Sequence, residues 1–140
     1  MLLAIDIGNS STKFGVFDST NLIDKFAIPT TQDLSISDLH FDRLKYVNDR
    51  AFCIDRAVVC SVVPELNDTF RQALKDLLSI TPIFIDHSFD FGLKISYEPV
   101  TSVGIDRLVN ASSAADRPWV NPAIAAQQST HAENDGCGKN

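Results

Sequence analysis

The segment Asp6-Ile7-Gly8-Asn9-Ser10-Ser11-Thr12-Lys13 gathers groups that could do chemistry: a carboxylate, a glycine, an amide, three hydroxyls and an amine. Apolar runs from Met1 to Ile7 and from Phe14 to Phe17 bracket it, which is the pattern of strand, polar turn and strand. An unpaired acid in mid-core would cost several kcal/mol, so Asp6 belongs where the strand meets solvent or a ligand. Gly8 lets a ligand approach the backbone closely. The N–H groups of Asn9 to Thr12, with their hydroxyls, can line an anion-binding concavity. Such a turn suits the phosphates of a nucleotide and their Mg²⁺. Taken alone, however, Asp-x-Gly ahead of a hairpin is more often only a turn.

A second concentration lies at Gly104-Ile105-Asp106-Arg107, downstream of Tyr97-Glu98-Pro99. A carboxylate within reach of a hydroxyl can take its proton, and Arg offers paired donors to a carboxylate or phosphate. By residue type alone the simpler reading is a dipole-favoured acid and a solvated or ion-paired base in the first turn of a helix. On the same terms Tyr97 is an edge-strand aromatic and Lys13 a solvated hairpin residue. His40, His87 and His131 are scattered and have no assigned role. Phe89 and Phe91, flanking Asp90, read as lid or core residues.

These groups need a scaffold, and 140 residues at 44% hydrophobic content are enough for one core. After the first hairpin, Asp18 to Asn21 is a second turn and Leu22 to Ile28 a third strand, so three antiparallel strands open the chain. Gln32 to Asp49 is a loosely amphipathic helix carrying Leu34, Leu39, Leu44 and Val47. Arg56 to Val63 is a β-branched run suited to a strand buried on both faces, ended by Pro64. The helix from about Glu65 to Ser79 has Leu66, Phe70, Ala73, Leu74, Leu77 and Leu78 on one face. Pro82 to Asp86 and Leu93 to Tyr97 are further short strands. A last helix, from about Ser102 as N-cap to Ala115, turns Ile105, Leu108, Val109 and Ser112 inward. A meander followed by a βαβ unit gives an α/β fold with a mixed sheet.

The net charge of −6 argues against a nucleic-acid surface. No Lys or Arg precedes Lys13, and Asp6 interrupts the opening apolar run, which argues against a signal peptide. No apolar run approaches the ~20 residues that span a bilayer. Cys53, Cys60 and Cys137 are odd in number and share no metal-ligand spacing, as expected of reduced thiols in a cytoplasmic protein.

Three segments in order resemble type III pantothenate kinase, a family of the actin-like, sugar-kinase-like ATPase superfamily, whose domains are ribonuclease-H-like. Asp6 to Lys13 is similar to the family's phosphate-binding turn, with Ser10 where Thr is usual. Ser61-Val-Val-Pro64 resembles its internal strand-to-helix junction. Tyr97-Glu-Pro99 with Gly104-Ile-Asp106-Arg107-Leu resembles its pantothenate-binding and catalytic segment. The resemblance runs from Met1 to about Ala115. It implies ATP-dependent phosphorylation of pantothenate to 4'-phosphopantothenate, the first step of coenzyme A synthesis. Asp6, Ile7, Gly8, Asn9, Ser10, Ser11, Thr12 and Lys13 would then cradle ATP, with Asp6 on the Mg²⁺ side. Asp106 would be the general base, and Tyr97, Gly104, Ile105, Asp106 and Arg107 would shape the substrate pocket. The family also implies a homodimer and a monovalent cation, K⁺ or NH₄⁺, held by a second domain.

That second domain opens on an Asp-Phe-Gly-Thr-type strand. Here Pro122-Ala-Ile124 resembles its start, but Ala125-Ala-Gln-Gln-Ser-Thr follows. Residues 116–140 are poor in large apolar side chains and are expected to be disordered, leaving 1–115 as the first domain. The metal ligand of the second domain is not retained in that reading, and the alternative to an enzyme is a truncated, catalytically inactive remnant with the first domain's fold. In such a chain the helix after Gly104 is expected to expose Leu108 and Val109.

Overall fold

The computed structural model describes residues 1–39, 44, 47, 52–96 and 98–115. They fall into two compact units, Met1–Ile85 and the residues from Asp86 onward.

The first unit is a mixed five-stranded sheet of order β3-β2-β1-β4-β5 with helices against it. β1 (Leu2–Ile7), β2 (Ser11–Asp18) and β3 (Asn21–Pro29) form the antiparallel meander. β4 (Arg56–Ser61) pairs in parallel with β1, and β5 (Ile83–Phe84) in parallel with β4. This mixed α/β arrangement is that of the ribonuclease-H-like, actin-like ATPase domain expected above.

Alternation decides the faces, because successive strand side chains point to opposite sides. Leu3, Ile5 and Ile7 of β1, Phe14 and Val16 of β2, and Ala57 and Val59 of β4 are buried in one cluster. A 3₁₀ turn, Pro64–Leu66, leads into α2 (Asn67–Leu78), after α1, a single turn at Ile36–Leu39. Leu66, Phe70, Ala73 and Leu74 are buried in the same cluster, and the Phe70 ring lies 6.3 Å from that of Phe14. Phe14 in turn stacks on Phe26 at 4.6 Å. α2 ends at Ser79, whose φ of 57° lets its N–H reach the carbonyls of Leu74 and Lys75.

Ser35 and Asp38 cap α1 reciprocally. The Asp38 carboxylate accepts from the N–H and hydroxyl of Ser35, and the Asp38 N–H donates back to the Ser35 hydroxyl. Of the amphipathic helix expected over Gln32 to Asp49, α1 and the buried Leu44 and Val47 are described. Most of its remaining residues lie outside the described set.

In the second unit a 3₁₀ turn, Val100–Ser102, precedes α3 (Ile105–Ala115). Three expectations need correction here. Leu93–Ser96 is not a strand: Leu93 and Ile95 are half-buried and Lys94 and Ser96 exposed, so the alternation is present, but no ladder is formed. A strand is defined by a partner's hydrogen bonds, which alternation alone does not supply. Tyr97 itself lies outside the described residues. Ser102 is not an N-cap, because the 3₁₀ turn takes it and its hydroxyl donates to the Pro99 carbonyl (2.7 Å). Nor is α3 left bare. Leu108 is 4% exposed and Val109 half-buried, since Ile105, Leu108 and Ala111 recur at helical spacing on one buried stripe. Residues 116–140, expected to be disordered, are outside the described residues.

Candidate functional site

The β1–β2 hairpin of the first unit carries the first group of candidate residues. Ile7 pairs with Thr12, and the Gly8 N–H closes the loop on the Ser11 carbonyl at 3.1 Å. A Cβ on Gly8 would stand 3.0 Å from that oxygen, so a side chain there would need the Ser11 carbonyl to give by a few tenths of an ångström. Asn9 and Ser10 are exposed at its tip, and the Ser10 carbonyl accepts from the Thr30 N–H (3.1 Å).

Asp6 and Lys13 are cross-strand partners on the face away from the buried cluster. The Lys13 Nζ lies 3.7 Å from Asp6 Oδ2, with the side chains 67% and 46% exposed. A wet pair of this kind contributes at most ~1 kcal/mol to stability. Ile7 faces the core and offers only its backbone. Thr12 is fully buried, and its hydroxyl is 2.9 Å from that of Thr30, turned inward from the loop's mouth.

The Ser61–Pro64 junction meets the same end of the sheet. Ser61 pairs with Ile7, the Val62 N–H donates to the Ile7 carbonyl (3.0 Å), and the Val63 N–H donates to the Ser61 hydroxyl (3.2 Å). Ligands in open α/β sheets gather beyond the carboxyl ends of parallel strands, where β1 and β4 finish. Among the described residues, no three His, Cys, Asp or Glu side chains cluster to hold a metal. A carboxylate as exposed as that of Asp6 suits Mg²⁺, which is commonly held by one or two carboxylates together with substrate phosphates. The Asp6 carboxylate beside the polar turn is of the kind that fits an ion shared with a nucleotide's phosphates.

The second unit carries Gly104, Ile105, Asp106 and Arg107 on the first turn of α3. The Gly104 carbonyl accepts from the N–H groups of Arg107 (3.1 Å) and Leu108 (3.3 Å). The Asp106 carboxylate folds back over Gly104: its Oδ1 would be 2.5 Å from a Cβ there. Gly104 is thus the space in which the carboxylate sits. Asp106 and Arg107 are half-buried, whereas Ile105 is a core residue.

A match to the family model for type III pantothenate kinase spans residues 2–131, which takes in all three segments. The chain belongs to the type III pantothenate kinase family. Relatives bearing that name include proteins of Shouchella clausii, 37% identical over 84% of this chain and 47% of the relative, and Finegoldia magna, 35% identical over 89% and 48%. A third, from a Sulfurihydrogenibium species, is 32% identical over 90% of this chain and 50% of its own length. The chain spans about half the length of the curated family members it matches. The family match runs on past Ala115, where the motif-by-motif resemblance stops.

Sequence reading gave no such role to several residues that bond to these segments. Thr30 serves the first turn, and His87, Phe91 and Ser112 serve α3. His87 Nε2 is 2.8 Å from the Val103 carbonyl, and the Ser112 hydroxyl donates to the Phe91 carbonyl at 2.8 Å. The signal that could have found this segment is Asp86-His-Ser88, an Asp-x-Ser turn. There the Asp86 carboxylate accepts from the Ser88 hydroxyl and N–H, which hold its pKa below the usual carboxylate value.

Proposed function

We propose that this chain provides the phosphate-binding and proton-accepting half of an ATP-dependent kinase that phosphorylates the primary hydroxyl of pantothenate. The observation that carries this reading is a single family match containing the Asp6–Lys13, Ser61–Pro64 and Gly104–Arg107 segments in order. The tight hairpin at Gly8 and the folded-back Asp106 support it.

In this reading the backbone of Gly8 to Ser11 approaches the ATP phosphates, and Lys13 neutralises part of their charge. Thr12 contributes its main chain, its hydroxyl being committed to Thr30. Asp6 holds Mg²⁺ jointly with the phosphates, and the bound ion supplies charge neutralisation at the phosphoryl oxygens. Asp106 takes the proton of the pantothenate hydroxyl, and that oxygen attacks the γ-phosphorus as ADP leaves. Arg107 pairs with the substrate carboxylate or the transferring phosphate. Phosphoryl transfer asks mainly for positioning and charge stabilisation, which suits a site of few groups. Tyr97 completes the pantothenate pocket. In the whole protein a second domain holds K⁺ or NH₄⁺, and two copies form a cytoplasmic homodimer.

The test is ADP formation on adding pantothenate to the purified chain with ATP and Mg²⁺. Asp106→Asn is expected to lower kcat by about 10²–10⁴-fold, the usual contribution of a general base. Turnover indifferent to that change would remove Asp106 from the mechanism. Nucleotide binding by calorimetry without any turnover would favour the non-catalytic alternative for this chain.

A further inference from the structure

His87 lies outside all three family-like segments, yet it touches the one that carries Asp106. Its Nε2 is 2.8 Å from the carbonyl of Val103, the residue immediately before Gly104. A carbonyl can only accept, so Nε2 carries the proton and donates. Val103 in turn follows the 3₁₀ turn, to which its N–H is bonded at the Val100 carbonyl (3.1 Å). The next peptide belongs to Gly104, whose carbonyl starts the helix by accepting from Arg107 and Leu108. A rotation of the Val103–Gly104 peptide would therefore swing the first turn of α3, and Asp106 with it.

The chain on either side of His87 is tied down. The Asp86 carboxylate closes its own turn by accepting from the Ser88 N–H and hydroxyl on the far side of His87. Four residues on, Asp90 accepts from the N–H of Gly92, which sits at a φ of 64°. Within the second of these turns the Phe91 carbonyl receives the Ser112 hydroxyl, two turns along α3. The 86–92 segment thus grips α3 at two points, ahead of the helix through His87 and within it through Ser112.

We infer that His87 is a positioning residue for the reaction, fixing the start of α3 through the Val103 carbonyl so that Asp106 is held in one attitude. The link to catalysis rests on the kinase reading above; the grip on the helix does not. Each can fail separately.

Three variants of the full chain test it. Gln at this position can present an N–H near the place of Nε2, Asn presents one near the place of Nδ1, and Ala presents none. Amide exchange at Arg107 and Leu108, followed by NMR without substrates, should quicken about tenfold in His87→Ala and His87→Asn, the weight of one net hydrogen bond. His87→Gln should stay within about threefold of the parent on the same scale. In the ADP assay, kcat should fall about tenfold with Ala and Asn and recover with Gln, with KM for ATP unmoved. A structural role unconnected with the Nε2 donor would make Gln as damaging as Ala and would overturn the inference. So would unchanged exchange at Arg107 and Leu108 in all three variants. If Ala does not fold, the contrast between Gln and Asn still decides. Absence of turnover in the parent chain would count against the kinase reading, while the exchange data would still judge the grip.

Discussion

Replacing Gly104 by Ala asks whether the Asp106 carboxylate works where it sits. A Cβ at 104 would be 2.5 Å from Asp106 Oδ1, and real Cβ contacts essentially never fall below 3.0 Å. The oxygen must therefore retreat by at least the 0.5 Å between these values, and by 0.9 Å to reach the 3.4 Å of ordinary contact. Because a misplacement of ~1 Å in a reacting geometry costs about 10²-fold, kcat/KM should drop by roughly 10- to 100-fold. That corresponds to ~1.4–2.7 kcal/mol of transition-state stabilisation. Stability should hardly move: Gly104 is not at positive φ, as Gly92 is, so Ala fits the backbone and the melt should shift by less than ~1 kcal/mol. The assay is pantothenate-dependent ADP formation alongside a urea melt, with Asp106→Asn as the lower bound on activity. A well-folded Gly104→Ala chain that keeps kcat/KM within twofold of the parent, while Asp106→Asn is impaired, would show that the observed carboxylate position is not the working one.

Thr12→Val keeps the shape and removes the hydroxyl paired with Thr30 (2.9 Å), so it should cost ~1 kcal/mol in a urea melt. It should leave ATP affinity by calorimetry unchanged, and a weakened Kd would return the Thr12 hydroxyl to the phosphate site. Phe70→Ala removes a fully buried ring beside Phe14 and should destabilise the first unit by ~3–5 kcal/mol in the same melt. A loss under ~1 kcal/mol would mean that α2 is not packed on the sheet as described. Asp38 and Asp86 are held below the usual 3.8 by the Ser35 and Ser88 hydroxyls first and those residues' N–H groups second. A depressed folded-state pKa stabilises above the unfolded value and is lost as pH falls through the folded one, so these bonds weaken below about pH 4. Asp38→Asn and Asp86→Asn should each flatten the acid limb of Tm against pH, leaving the neutral plateau nearly level; an unaltered acid limb would contradict the caps.

Local chemistry settles the elements whose information is local. The opening hairpin was legible because Asp6, Gly8 and Lys13 interrupt two apolar runs at strand spacing, and α2 because Leu66, Phe70, Ala73 and Leu74 recur at helical spacing. The three motif segments were legible for the same reason: each is made of short runs of residues close together in the chain. Which groups face each other across the sheet was decided by register. Pairing Asp6 with Lys13 and Ile7 with Thr12 leaves one couple in solvent and buries the other, although all four stand in one polar-looking stretch. Thr12 reads as a phosphate ligand until Thr30, eighteen residues away, takes its hydroxyl. Leu93–Ser96 alternates like a strand, yet a strand also needs a neighbour's N–H and C=O groups, and no alternation specifies those. His87 is the clearest case. The Asp86-x-Ser88 turn around it is local, but nothing in sequence marks its bond, because its partner is a main-chain carbonyl sixteen residues on, and every residue has such a carbonyl. Side-chain pattern encodes burial and turn chemistry, whereas contacts made to the backbone at long range exist only once the chain has folded.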